Sequence, residues 1–234
     1  MTTISNRLQD ILSIIQSAQR ASQHHQTVKL LAVSKAQTAQ SMREAYHAGQ
    51  HIFAENYLQE ALEKQVQLGD LDVEWHFIGP IQSNKTQLIA QNFSWVHSVD
   101  RLKIAQRLND ARPENLPPLQ LCIQVNVSHE ESKSGVLPEA LETLATAITL
   151  LPKLQLRGLM AIPAPTLDEH QQRVQFKQLH QCYDSLLEHG FSLDTLSMGM
   201  SDDYRVAIAE GATIVRIGSA LFGARTYAKQ EDLR

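Results

Sequence analysis

The lysine at position 35 follows an apolar run, and its type and place suggest chemistry. Residues 30–34 have the composition of a buried strand, and Lys35 stands where that strand would end. Partial burial at such an end removes water from an amine, which favours the neutral form that attacks a carbonyl. Lys35 is therefore a candidate for Schiff-base formation, with a solvated lysine at a strand end as the alternative.

Two segments near the C-terminal end are rich in small residues and suit a phosphate group. Residues 197–203 follow one apolar run, and Gly218 and Ser219 follow another. Backbone N–H groups at such turns can hold a phosphate, and in eight-stranded barrels this site recurs after strands seven and eight. Ser201, which precedes two aspartates, also fits a simple helix cap, so capping and phosphate binding both remain open.

Two polar residues lie inside apolar runs, where an unpaired charge is costly. Arg216 is predicted to point into a binding site or to pair with a carboxylate. His76 fits a hydrogen-bonded core residue better than a general acid or base, and we assign it no catalytic role. The histidines and cysteines show no metal-binding spacing, and the common hydrolase, nucleotide and dinucleotide motifs are missing. A lysine and a phosphate site are the chemistry that remains.

Short β-rich runs alternate with amphipathic segments along most of the chain, and the alternation predicts eight units. The predicted strands are 28–34, 51–54, 74–78, 95–99, 120–127, 156–161, 195–198 and 214–217. The predicted helices are 5–23, 38–48, 57–68, 85–91, 102–111, 138–150, 169–189 and 202–210. Eight such units close a parallel barrel with its working loops at the carboxyl ends of the strands. We therefore predict a single α/β domain, a (β/α)8 TIM barrel with an extra N-terminal helix, with an open doubly wound sheet as the alternative.

The composition narrows the class of protein. The 234 residues, 43% hydrophobic and 20% charged, fit one domain over 1–234. A net charge of −4 with scattered basic residues argues against a nucleic-acid partner. Two cysteines fit a reducing compartment, and the sequence shows neither a secretory signal nor a membrane-spanning stretch. These features predict a cytoplasmic protein without a membrane partner.

Seven short blocks in one order are more specific than any motif taken alone. They occupy residues 31–35, 55–57, 75–85, 132–135, 157–162, 197–203 and 215–218. In these blocks the chain resembles the pyridoxal phosphate homeostasis protein family, which is similar to the barrel domain of alanine racemase. The resemblance implies an alanine racemase N-terminal domain-like barrel that binds pyridoxal 5'-phosphate (PLP).

The resemblance also assigns residues to the cofactor site. They are Lys35, Asn56, Met160, Ser201, Arg216, Gly218 and Ser219. Lys35 would hold PLP as a Schiff base, and Arg216 would face the pyridine nitrogen. Ser201, with the loop of Gly218 and Ser219, would hold the phosphate. Asn56 and Met160 would line the pocket.

The resemblance favours binding over turnover. An arginine beside the pyridine nitrogen disfavours its protonation and so weakens PLP as an electron sink. The racemases add a second domain that supplies a tyrosine base, whereas this sequence ends soon after the predicted barrel. We therefore expect a protein of intracellular vitamin B6 homeostasis, with no catalytic residue assigned, rather than an enzyme.

Two other functions stay open at this stage. A PLP-dependent racemase or decarboxylase would use Lys35 as one base and Lys133 or Tyr57 as another. A cofactor-free, phosphate-binding isomerase would need a carboxylate base, for which Glu55 is the candidate. Candidate partners besides PLP are other B6 vitamers, amino acids and the apo-forms of PLP enzymes. A monomer is favoured. The usual dimer contacts of the racemases involve their second domain, for which this sequence shows no counterpart.

Overall fold

The computed structural model describes residues 3–128 and 134–223, and its eight parallel strands form a closed barrel. The strands are β1 (Lys29–Val33), β2 (Ile52–Glu55), β3 (Glu74–Phe77), β4 (Trp95–Val99), β5 (Leu119–Gln124), β6 (Leu154–Met160), β7 (Thr195–Ser197) and β8 (Ile214–Ile217). The helices are α1 (Ile4–Ala21), α2 (Ala39–His47), α3 (Leu58–Gln67), α4 (Thr86–Asn92), α5 (Leu102–Ala111), α6 (Pro138–Thr149), α7 (Glu169–Glu188), α8 (Tyr204–Ala209) and α9 (Ser219–Phe222). The predicted (β/α)8 barrel with an extra N-terminal helix is confirmed.

The strands read as apolar runs because both of their faces are covered. In β4 every residue is buried, and in β1 every residue after the first is buried. Outward-facing side chains pack beneath the helices in one large core. A smaller apolar cluster of inward-facing side chains consists of Leu31, Val33, Ala54 and Ile214.

The extra helix α1 packs outside the barrel and supports its last loop. Its buried side chains recur every three or four residues along one face: Ile4, Leu8, Ile11 and Ile15. From the same helix, Arg7 donates hydrogen bonds to the carbonyl oxygens of Leu221, at 2.6 Å, and Phe222, at 3.2 Å. These bonds fix α9, which directly follows the end of β8.

The helices behave as amphipathic surface elements. The longest, α7, has 20 residues and buries Phe176, Leu179 and Leu186 along one side. Nowhere in residues 3–128 or 134–223 is a helix both long and apolar enough to cross a membrane.

The strand register brings the polar strand ends to one rim. Within the closed sheet, β1 lies between β2 and β8, with Ala32 opposite Phe53 and Leu31 opposite Arg216. Because all strands run in the same direction, the loops after β1, β2, β3, β7 and β8 open at the same end of the barrel. The predicted site residues in those loops are therefore neighbours in space.

The fifth strand is the one whose end the sequence misplaces. Every other strand boundary lies within two residues of its prediction, but β5 ends at Gln124 rather than at residue 127. Beyond Gln124 the backbone pairs with a returning segment: Val136 N–H donates to Gln124 O, and Asn126 N–H donates to Val136 O. Val125 and Val127 are buried and extend the apolar run past the point where the strand ends.

Candidate functional site

A cavity of about 390 Å³ opens at the carboxyl ends of the strands. Its volume lies in the range typical of small-molecule sites. Six of the seven residues that the sequence assigns to the site line it: Lys35, Asn56, Ser201, Arg216, Gly218 and Ser219. The structure thus brings together residues that are up to 184 positions apart in the chain.

The backbone on both sides of Lys35 is held by two charged side chains, the buried Lys64 and the partly exposed Glu60. The Lys64 cluster, defined as Ser34, Glu55, Glu60 and Lys64, lies beside the end of β1. Lys64 Nζ donates to Ser34 O at 2.6 Å, and Ala36 N–H donates to Glu60 Oε1 at 2.6 Å. These two bonds flank Lys35 and fix the direction in which its side chain leaves the strand.

The Lys64 cluster also determines the role of Glu55. Glu55 Oε1 lies 2.7 Å from Lys64 Nζ and accepts a 2.7 Å hydrogen bond from Ser34 Oγ. Burial raises the pKa of Glu55, while the neighbouring Lys64 acts in the opposite direction. Glu55 is fully buried and does not line the cavity. It is therefore a structural partner of Lys64, and the cofactor-free isomerase loses its candidate base.

Arg216 places a buried cation at the cavity. Its Nη1 donates to the carbonyl and hydroxyl oxygens of Ser197, at 2.6 and 3.0 Å, and its Nη2 donates to Ala161 O at 2.8 Å. Burial lowers the pKa of Arg216 to about 10, so the guanidinium is charged at neutral pH. Within the part of the chain that the structure describes, no carboxylate is hydrogen-bonded to it. Arg216 therefore lines the cavity without a hydrogen-bonded carboxylate, and its role toward a ligand stays a prediction.

Asn56 lines the same cavity, and its side chain carries an unsatisfied acceptor. Its Oδ1 atom is buried and has no hydrogen-bond partner among the described residues. Since an unpaired buried acceptor is costly, this atom suits an occupant that donates a hydrogen bond. The backbone of Asn56 is packed tightly against Gly79, another cavity residue.

Replacing Gly79 with alanine should distort this wall. The added Cβ would lie 2.7 Å from the Asn56 carbonyl carbon and closer still to its oxygen, so the backbone of Asn56 would have to move. We expect a loss of about 1–3 kcal/mol in unfolding free energy, measured by urea denaturation, and weaker ligand binding. Gly69→Ala is the control, because a Cβ there makes ordinary contacts. Equal stability of the two variants would contradict the expectation.

The loops after β7 and β8 meet at Ser201. Its Oγ lies 3.5 Å from Ala220 N, at the start of α9. Gly218 passes close to β1, where an added Cβ would lie 3.1 Å from Val33 O. Small residues thus let both turns approach the cavity and the first strand, as a phosphate site would require.

The alternative assignment of Ser201 as a helix cap is wrong. Helix α8 begins at Tyr204 instead of residue 202, with Asp203 at its N-cap position. Asp203 Oδ1 accepts a 2.6 Å hydrogen bond from Met200 N–H, which holds the preceding residues in a turn. That turn directs Ser201 toward the cavity rather than into the first turn of the helix.

Two further sequence candidates do not line the cavity, and a third is not described by the structure. Met160 is fully buried with Trp95 and Cys122 inside the barrel and does not line the cavity. Tyr57 is 64% exposed and does not line it either. Lys133 lies outside the described residues. The cavity is also lined by Gly79 and Pro80, which the sequence analysis did not assign to the site. Both residues belong to the block 75–85, one of the seven that carry the family resemblance, so the block could have indicated them.

His76 is a buried core residue, as predicted, and it contacts a second histidine. Its Nδ1 lies 2.8 Å from His97 Nε2, and both rings are almost inaccessible to solvent. Burial lowers the pKa of both histidines below the ordinary value of 6.5, that of His97 by the larger amount. Both rings are therefore neutral in the folded protein at neutral pH.

This burial predicts an acid-sensitive fold. Below about pH 6.5 the histidines of the unfolded chain become protonated, whereas the buried rings of His76 and His97 in the folded protein stay neutral. The unfolding free energy therefore falls as the pH falls. Between pH 6.5 and 5.5 we expect a loss of about 1–2 kcal/mol in unfolding free energy, measured by urea denaturation of the ligand-free protein. A His97→Phe variant should lose about half of this dependence. Stability that is constant or rises over this interval would contradict the assignment.

Comparisons with known proteins agree with this geometry. The family model "Alanine racemase, N-terminal domain" matches residues 10–226. The pyridoxal phosphate homeostasis protein of Pseudomonas aeruginosa is 58% identical over 97% of this chain and 98% of its own. That of Escherichia coli K12 is 48% identical over 98% of this chain and all of its own.

Solved structures give the same result. PipY of Synechococcus elongatus, solved with PLP bound, superposes with a TM-score of 0.84 at 38% identity, over 94% of this chain and all of PipY. An alanine racemase of Clostridium difficile shares the fold, with a TM-score of 0.74 at 15% identity, over 95% of this chain and 60% of the racemase. From the sequence relatives, the family model and these structures, the chain belongs to the pyridoxal phosphate homeostasis protein family, within the wider family of the alanine racemase N-terminal domain.

Proposed function

We propose that the chain binds pyridoxal 5'-phosphate as a Schiff base on Lys35 and serves intracellular vitamin B6 homeostasis. The observation that carries the proposal is the meeting of Lys35, Arg216 and Asn56, whose side chain has an unsatisfied acceptor, in the lining of one cavity. Relatives with 58% and 48% identity are named pyridoxal phosphate homeostasis proteins, and PipY has been solved with PLP.

The residues of the cavity fit this cofactor in chemical type. PLP supplies an aldehyde, which an amine can bind covalently and reversibly. Lys35 supplies that amine from a backbone fixed by the Lys64 cluster. Ser201, Gly218 and Ser219 provide the small-residue turns for the phosphate. Asn56 adds a polar side chain with an unsatisfied acceptor to the wall of the cavity.

Arg216 supports a binding role rather than turnover. Its guanidinium is a buried cation. A pyridine nitrogen beside it would therefore favour the neutral form, which accepts a hydrogen bond, over the protonated form. An unprotonated pyridine ring withdraws electrons less strongly, which limits carbanion chemistry. We therefore assign Lys35 the task of holding the cofactor, available for exchange with other amines, with no catalytic residue.

The test separates binding from catalysis. The purified protein is titrated with PLP by visible absorbance, and the loaded protein is then incubated with a panel of amino acids. We expect one PLP per chain, no racemisation or decarboxylation above the rate of free PLP, and release of PLP to a competing amine. Failure to bind PLP would overturn the proposal, while robust turnover by chiral chromatography would establish the PLP-enzyme alternative.

A further inference from the structure

A chain of hydrogen bonds runs through the barrel interior from Arg216 to the opposite end. Arg216 Nη1 donates to Ser197 Oγ at 3.0 Å, and this oxygen lies 2.8 Å from His97 Nδ1. His97 Nε2 lies 2.8 Å from His76 Nδ1, and His76 Nε2 lies 2.7 Å from Glu74 Oε1. The Glu74 side chain is 45% exposed, whereas the other four residues are buried. The interior chain, as defined by these five residues, therefore links the cavity to the far mouth of the barrel.

The two ends of the interior chain fix its direction. A guanidinium can only donate hydrogen bonds, and an ionised carboxylate can only accept them. Starting from Glu74, the proton of His76 must be on Nε2, which leaves its Nδ1 as the acceptor for His97 Nε2–H. His97 Nδ1 then accepts from the Ser197 hydroxyl.

The hydroxyl oxygen of Ser197 is thereby left free to accept from Arg216. Every donor in the interior chain points from the cavity toward Glu74, in a single arrangement of tautomers. Burial, which keeps both imidazoles neutral, is consistent with this arrangement.

Packing alone does not require this polar chain. Near β1 and β2 the barrel interior is filled by the apolar side chains of Leu31, Val33, Ala54 and Ile214. Two imidazoles and a hydroxyl cost desolvation unless all of their hydrogen bonds are made, so a polar chain is the more demanding way to fill the same space. What it adds is an oriented acceptor, Ser197 Oγ, for a cation that lacks a hydrogen-bonded carboxylate among the described residues.

We propose that Ser197, His97, His76 and Glu74 are positioning residues that hold the Arg216 guanidinium in one orientation for the cofactor, with Glu74 setting the direction of the chain from the far mouth. The inference rests on the proposed function for its ligand. The arrangement of protons, however, is a property of the ligand-free protein and can be tested separately.

The first experiment is nitrogen NMR of ligand-free protein labelled with 15N-histidine. We expect the His76 and His97 rings to be neutral, with the proton on Nε2 in both. In Ser197→Ala the Nδ1 signal of His97 should shift, because its hydrogen bond is lost. A ring protonated on Nδ1, or a cationic ring at neutral pH, would overturn the inference even if PLP binds.

The second experiment compares PLP binding by Ser197→Ala and Thr195→Val. Thr195 lies two residues earlier on β7 and is also buried, but its hydroxyl donates to Asp194, outside the interior chain. We expect about tenfold weaker binding and a shifted visible maximum for Ser197→Ala, and changes under about twofold for Thr195→Val.

Equal affinity and identical spectra of the two variants would overturn the positioning role. If Ser197→Ala does not fold, Glu74→Gln at the exposed end replaces it. This variant should shift the His76 ring signals and the visible maximum, and unchanged signals and spectra would overturn the inference. Failure of the wild-type protein to bind PLP would instead count against the proposed function. The NMR experiment on the ligand-free protein would still test the arrangement of protons in the interior chain.

Discussion

Replacing Lys35 with alanine should abolish the visible absorption band that PLP gives with the protein. Alanine has no amine, so no Schiff base can form, although Arg216, Asn56 and the small-residue turns still line the cavity. We expect the remaining non-covalent binding to be weaker by about two orders of magnitude, equivalent to about 2.7 kcal/mol. Visible spectra and a PLP titration measure the two effects.

Lys29→Ala is the matched control for this prediction. Lys29 begins the same strand, β1, but lies exposed at its other end, away from the cavity. Its replacement should leave both the band and the affinity unchanged. A band that survives in Lys35→Ala would show that another amine binds the aldehyde.

Replacing Lys64 with methionine should destabilise the ligand-free protein by about 3–5 kcal/mol. Lys64 Nζ lies 2.7 Å from Glu55 Oε1, and both side chains are buried. Methionine fills similar space but leaves the Glu55 carboxylate buried without its cation, and a buried unpaired charge is costly. Urea denaturation at neutral pH measures the loss in unfolding free energy.

Two further variants define the cause. Arg43 and Asp70 form an ion pair at the surface, and Arg43→Ala should cost less than about 1 kcal/mol. Adding Glu55→Gln to Lys64→Met removes the orphaned charge, so the double variant should recover part of the lost stability. If Lys64→Met cost no more than Arg43→Ala, the Lys64 cluster would not stabilise the end of β1 as we infer.

The fold was predictable because its pattern is local. Each strand is a short apolar run ended by polar or small residues, and counting eight such runs gives the barrel. That Lys35, Ser201 and Gly218 line one cavity was predictable because they follow strand ends, and parallel strands bring their carboxyl ends to one rim. The end of β5 was not predictable from the sequence. Val125 and Val127, beyond Gln124, are buried and continue the alternating apolar pattern of the strand.

The contacts that hold the site were not predictable from local pattern. Lys64 stands on the amphipathic helix α3, where a lysine ordinarily faces water, and its burial follows from the approach of β1, 30 residues away. His97 bonds to Ser197, which is 100 residues away in the chain. Met160 likewise could not be placed from its own surroundings in the sequence. The register of β6 against β7 decides which layer of side chains inside the barrel it joins.

The most direct test of the account is borohydride reduction of the PLP-loaded protein followed by peptide mapping. Reduction makes the Schiff base permanent, and trypsin does not cleave at a modified lysine. We therefore expect one pyridoxyl group on the tryptic peptide of residues 30–43, which runs from the cleavage after Lys29 to Arg43 with Lys35 uncleaved. A reduced adduct spread over surface lysines, or absent from this peptide, would contradict the assignment of Lys35 and the cofactor site with it.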